Sequence, residues 1–358
     1  MARDEVLDWL LEEEQPSVRA RALTELVGLP ASDPDVREAR RRIPEIGWAR
    51  TILDARSPGG WWESERSTYV PKYLGTSWRL IALAGLGASR ETPEIAESVD
   101  LWVRASRKSD GGFGPEGYGK GHECTTGNTV RSLLQLGYPP TDARVRPGLV
   151  WLVDHADPKG GWSCYGSGRN LDGWEPLSAF AALPRDVWNP SIERTATRAS
   201  EFFLERELHA QGAPYAPWGR THYPHHYYYD LLVGLDVLTA LGYGADPRLD
   251  HAIAWLNARQ RPDGRWNLDA VHPDVEGSTA EWIRRHPKRA PVPLVLESPG
   301  APSKFVTLAA RRVLQRVAEA RPRRVGRTTP AAPPETPPAA SPGTTGPARR
   351  APRRARTS

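Results

Sequence analysis

Along most of the first 318 residues, apolar positions recur at the three- and four-residue spacing of helices that bury one face. Two short segments open the chain, 4–14 and 17–28. Trp9, Leu10, Val18, Ala22, Leu23 and Leu26 supply their apolar faces, and Pro16 suits a first helical turn. Beyond them two kinds of helix alternate. One is amphipathic and carries a tryptophan or another large residue: 35–56 (broken near Pro44), 93–107, 143–155, 191–209 and 247–260. The other is more continuously apolar: 73–86, 123–136, 172–183, 225–241 and 304–317. Several of the apolar helices run into Gly87, Gly137 or Gly242, as a left-handed C-cap requires. The helix that follows opens at Thr92-Pro93, Thr141-Asp142 or Asp246-Pro247.

Each amphipathic helix leads into a loop rich in Gly and aromatic residues. The fullest copy is Gln260-Arg-Pro-Asp-Gly264-Arg-Trp266, and its echoes are Gly59-Gly60-Trp61, Gly111-Gly112-Phe113 and Gly160-Gly161-Trp162. Successive aromatics lie 52, 49 and 104 residues apart, the last interval holding a degenerate unit around Trp218. A period near 50 marks a repeat architecture. Counting the N-terminal pair, six helical hairpins result. They predict an all-α (α/α)6 toroid, with the apolar helices as inner wall and the amphipathic ones outside. An open superhelical solenoid is the alternative; the count of six, and long loops that all follow outer helices, favour closure. Residues 109–122, 157–171, 210–224 and 262–303 then gather at one mouth, where the N-termini of the inner helices converge.

Composition sharpens the boundaries. From Arg321 onward there are nine Arg and one Glu among Pro, Ala and Thr, a charge of +8, while the whole chain carries +5, so residues 1–320 carry −3. The basic character belongs to a tail, 319–358, that is too polar to bury a core and is expected to be disordered; the toroid domain is 1–318. The body gives no electrostatic reason for a nucleic-acid partner. No run approaches a membrane span, and the charged N-terminus is unlike a signal peptide. Two cysteines, Cys124 and Cys164, make no disulfide framework, which points to a reducing cytoplasm.

Helical hairpins joined by Gln-x-x-x-Gly-x-Trp, with Asp110-Gly-Gly-Phe113-Gly at another outer helix end, resemble the prenyltransferase/squalene oxidase repeat of the α/α-toroid superfamily. That superfamily holds terpenoid cyclases and protein prenyltransferase β subunits. The resemblance spans about residues 1–318, but Ala55, Arg107 and Ala156 stand where the other copies need Gln. It implies an enzyme acting on an isoprenoid or other apolar substrate in a central cavity. The chain has no Asp-x-Asp-Asp acid motif and no Asp-Asp-x-x-Asp motif. Cyclisation driven by the squalene-cyclase acid is therefore disfavoured. Prenyltransferase β subunits need an α partner, which nothing in this sequence specifies.

Converging helix N-termini suit an anion and lower a thiol pKa. Cys124 and Cys164 map to this rim, and His225 opens the next inner helix. Two thiolates and an imidazole with an open position form a catalytic zinc pattern. The resemblance adds that prenyltransferases and lanthionine-forming toroids use zinc in such places. The simpler reading makes each Cys a small buried hydrophobe. Acid–base candidates are Asp172 and Glu175, at one inner-helix start, and His226 with Asp230, four residues apart on one predicted helix face. Asp172 is equally explained as an N-cap. Lys72, Tyr73, Asn128, Trp174, Tyr229 and Lys304 are candidate substrate contacts, although packing and solvation account for such residues as well. Two other functions fit the same fold: an (α/α)6 carbohydrate lyase or hydrolase using carboxylates, and a non-catalytic ligand-binding toroid.

Overall fold

The structure, a computed structural model, describes residues 4–163, 173–208, 216–227, 229–271 and 294–321. Among the described residues there are thirteen α-helices: α1 Glu5–Leu10, α2 Pro16–Glu25, α3 Pro34–Arg42, α4 Gly47–Asp54, α5 Thr76–Gly85, α6 Pro93–Ser106, α7 Glu123–Gln135, α8 Arg146–Asp154, α9 Trp174–Ala181, α10 Pro190–Leu204, α11 Leu231–Ala240, α12 Asp250–Ala258 and α13 Lys304–Ala320. The toroid domain thus runs slightly past the expected boundary, since α13 continues to Ala320. The basic tail from 322 lies outside the described residues.

Helix contacts trace a ring. α5 packs on α7, α7 on α9, α9 on α11, α11 on α13, and α13 on α2. Arg21 of α2 closes the circle by donating from Nη1 to the Gly85 carbonyl of α5 at 3.0 Å. These six are the inner wall. Their apolar character follows from burial on two sides: every residue of α5 except Gly85 is buried, as are eight of the ten in α11. The outer layer backs them, with α4 and α6 against α5, α8 against α7, α10 against α9 and α12 against α11. The chain is an all-α closed toroid of six hairpins.

The Gly-aromatic loops set its register. In each copy a glycine with positive φ turns the chain: Gly60, Gly111, Gly160 and Gly264, at 93°, 91°, 91° and 78°. The residue two positions on is buried, and it is Trp62 in the first copy rather than the expected Trp61. Trp62, Phe113 and Trp266 donate their backbone N–H to Thr76, Thr126 and Thr307 on the inner helix, at 3.1, 2.9 and 3.0 Å. The indoles of Trp62, Trp162 and Trp266 donate back to Ile52, Leu152 and Leu256 of the outer helix, at 2.7, 3.1 and 2.8 Å. One aromatic residue thereby ties an outer helix end to an inner helix start. In the degenerate copy the fourth residue of α11 is Gly234, where α7 and α13 have Thr126 and Thr307. A Cβ there would stand 2.4 Å from Tyr229 Oη. The Tyr229 phenol fills the space, donates to Leu208 O at 3.2 Å and packs edge-on to buried Trp218.

Thr307→Val keeps the shape and strands the buried Trp266 N–H, which is expected to cost about 1–3 kcal/mol. Urea unfolding measures it; a loss under about 0.5 kcal/mol would show that the clasp does not hold the register.

Candidate functional site

The expected inner helix 225–241 starts only at Leu231, because Asp230 caps it by accepting from Val233 N at 2.7 Å. Residues 222–227 instead form a strap laid across the N-terminal ends of the inner helices. Its backbone is held from two of them, α7 and α9. Asn128 Nδ2 donates to His226 O at 2.7 Å, Arg131 Nη2 to His225 O at 3.2 Å, and Trp174 Nε1 to Tyr227 O at 3.1 Å. His226 Nε2 meets Trp78 O at 3.2 Å while its ring stacks on Tyr73, with centroids 5.5 Å apart. Tyr227 Oη hydrogen-bonds Tyr69 Oη at 2.7 Å and receives the Cys124 thiol at 3.6 Å. Lys72 Nζ lies 4.9 Å above both the Tyr73 and the Tyr227 rings.

Beneath the strap is a central cavity of about 200 Å³ lined by all six inner helices and by Tyr223, Pro224 and His225. Ile81, Ala82, Val233, Val237, Phe305 and Ala309 give it apolar walls. Its more open rim is at the C-terminal ends of the inner helices, opposite the expected mouth: Gln135 and Ala240 are exposed, while Trp174, Tyr223 and Phe305 at the other end are buried. That rim carries a charge network. Arg312 takes both oxygens of Asp236 at 2.8 and 2.6 Å and also binds Glu25. Arg316 reaches Asp236 at 2.9 Å, and Arg21 reaches Glu25 at 2.9 Å. Burial alone would raise the Asp236 pKa, but Arg312 and Arg316 outweigh it and hold the carboxyl below its ordinary range.

The carboxylate partner of the strap is His222 rather than His226. Asp230, fully buried, lies 2.6 Å from His222 Nδ1 and accepts the His222 N–H at 3.0 Å. The expected His226–Asp230 pair required a helical face that the strap replaces. The His222 ring stands 5.2 Å from that of His225, which lines the cavity. His222 was missed because only the folded strap brings it back to Asp230.

The remaining candidates divide. Trp174 lines the cavity; Glu175 is buried beside it and acts on Arg131. Burial pushes the Arg131 pKa down to about 10 against the pull of Glu175, and its guanidinium is engaged by Asn128 and Ser178. Lys72, Tyr73, Asn128 and Cys124 belong to the packing that holds the strap. Tyr229 is the clasp of the degenerate repeat. Lys304 is committed elsewhere, donating to Trp9 O at 2.5 Å and to Glu12 at 2.6 Å. Asp172 and Cys164 lie outside the described residues. Among the described residues no group of three His, Cys, Asp or Glu side chains is placed to hold a metal. Cys124 and His225 alone do not make a zinc site.

No family model matches the chain, and no curated protein matches it in sequence. Solved structures similar to it include a protein from Actinoplanes, 18% identical, covering 85% of this chain and 90% of that one with a TM-score of 0.41. Another is the type II terpene cyclase MstE from Scytonema, 16% identical, covering 76% and 95% with a TM-score of 0.30. A substrate complex of a variant of that cyclase, with geranylgeranyl dihydroxybenzoate, gives the same coverage and 0.31. Likeness this distant says nothing of activity; the toroid rests on the helix packing itself.

Burial pushes the His225 and His226 imidazoles down to about 3. A histidine whose folded pKa lies below its unfolded value of ~6.5 stabilises the fold fully above that pH, and loses the contribution as pH falls toward the folded pKa. Between pH ~6.5 and ~5 stability should drop by about 1.4 kcal/mol per pH unit for each imidazole, and His225→Gln should remove half of that slope. Unfolding free energy that stays flat across this window would refute burial as the dominant effect.

Proposed function

We propose that the chain is a terpenoid-cyclase-like toroid that takes a small isoprenoid or similar apolar molecule in its central cavity. The observation that carries this reading is the cavity itself: one space to which all six inner helices contribute, apolar along Ile81, Ala82, Val233, Val237 and Ala309 and charged at its rim. Its volume, about 200 Å³, falls below the ~300–1,000 Å³ usual for drug-sized ligands. The proposal is therefore a short-chain substrate rather than a long polyene. An array of carboxylates suited to sugar chemistry is not what lines this space; its two acids, Glu25 and Asp236, are engaged by arginines.

The strap adds one polar contact to this apolar space. At neutral pH burial keeps His225 uncharged, so it meets a bound molecule as a neutral hydrogen-bonding imidazole. His222 stands behind it, oriented by Asp230, in the way a carboxylate fixes an imidazole tautomer. In this reading His225 is a polar contact inside the cavity, and His222 and Asp230 are positioning residues. Zinc enters the proposal only through Cys164, which would have to join Cys124 and His225. Elemental analysis decides this part: about one zinc per chain, lost in Cys124→Ser and in Cys164→Ser, establishes it, and metal-free folded protein removes it.

Native mass spectrometry of purified protein, followed by calorimetric titration with geraniol, tests the cavity. Geraniol is expected to bind the parent and to lose at least about tenfold in affinity in Ala309→Phe, which fills the space, or in the milder Ala309→Leu. Equal binding by parent and folded filled variants, or no retained molecule and no binding at all, would overturn the reading.

A further inference from the structure

The hydroxyl of Tyr223 needs an explanation that the fold does not supply. The residue is 6% exposed, its ring stacks on Phe305 with centroids 4.1 Å apart and 8° between planes, and it lines the central cavity. Its Oη has no hydrogen-bond partner among the described residues. Buried hydroxyls are nearly always paired, because leaving one unmade forfeits its hydration. Burial raises its pKa, so the group remains an O–H donor.

A second donor stands nearby. Tyr223 Oη lies 3.7 Å from the position a Cβ on Gly85 would take, and Arg21 Nη1 donates to the Gly85 carbonyl. Arg21 Nε is held by Glu25, while its Nη2 makes no hydrogen bond among the described residues. The lining as a whole has more cation than anion: Arg21, Arg131, Arg312 and Arg316 against Glu25 and Asp236. Part of that excess offsets the carbonyl ends of the inner helices, as Arg21 does at Gly85. That role cannot include the Tyr223 hydroxyl, which points into the cavity without reaching a carbonyl.

We infer that the cavity receives its ligand through the C-terminal rim, and that the ligand is a small apolar molecule ending in an oxyanion, a carboxylate or a phosphate monoester. Its oxygens are bound by Tyr223 Oη and the Arg21 guanidinium, and its apolar body lies against Val233, Val237 and Ala309. This rests on the proposed use of the cavity and adds the head group and the direction of access. Two oxygens facing a phenol and a guanidinium satisfy the hydroxyl that the protein leaves unmade, in a site where a charge-assisted hydrogen bond is strong.

Four probes of one skeleton separate the parts: geranic acid, geranyl monophosphate, geraniol and the hydrocarbon myrcene, titrated into the full chain. The acid or the monophosphate is expected to bind at least about tenfold tighter than geraniol, and the tighter of the two identifies the head group. Tyr223→Phe keeps the stacked ring and should weaken the anion by on the order of ten- to a hundredfold while sparing myrcene. Arg21→Gln should act the same way. Because Arg21 also closes the ring, Arg316→Gln at the rim serves as the second cation test and should reduce the salt dependence of anion binding. Geraniol and myrcene binding as well as the anions, with Tyr223→Phe neutral, would overturn the head-group inference and leave the cavity reading standing. Failure of all four probes would overturn both.

Discussion

Arg312 joins three of the six inner helices. From α13 its guanidinium binds both oxygens of Asp236 on α11 and one of Glu25 on α2, and so spans the junction between the last repeat and the first. Arg21 carries the connection on to α5. A buried ion pair of this kind is costly to desolvate and more costly to leave half-made, so its value lies in specifying one arrangement rather than in raw stability. At this junction the arrangement specified is closure. An arc of the same hairpins would leave the α2 and α13 faces in water and Arg312 without Glu25. The cavity exists because that joint is made.

Closure also explains why the two poles differ. At the N-terminal pole the strap covers the ring, and Asn128, Arg131 and Trp174 bind its backbone. The helix N-termini that would otherwise draw an anion face a layer of Tyr69, Tyr73, Trp78, His226 and Tyr227. At the C-terminal pole the arginines offset the carbonyl ends and leave a partly open rim. The space is thus more open from below the strap, and His225 and Tyr223 line it.

Much of the fold was legible because repetition supplies its own check. Helix spacing, glycine C-caps at Gly87, Gly137 and Gly242, and the recurring Gly-aromatic loop each point to six hairpins, and these agree. The one-residue slip from Trp61 to Trp62 arose where two adjacent tryptophans fit the pattern equally; only the bond to Thr76 distinguishes them. The strap was less legible. Its apolar, tyrosine-rich run continues smoothly into α11, and the N-cap at Asp230 was the single local sign that the helix starts late. The rim network left no local sign at all, since Arg312 lies 76 positions from Asp236 and 287 from Glu25, and meets Glu25 only in the closed ring.

The contact between Arg312 and Glu25 joins residues 287 positions apart. A stack of repeats open at both ends has outer units that can fray while the middle stays folded, and its stability is close to a sum over neighbours. A ring has no outermost unit. Losing any one hairpin turns every remaining helix pair into part of an open arc, so unfolding should spread from any breach as one event. The same geometry leaves the growing chain incomplete through most of its synthesis: the first inner helix gains α5 early but α13, its other neighbour, only when the last helix has been made.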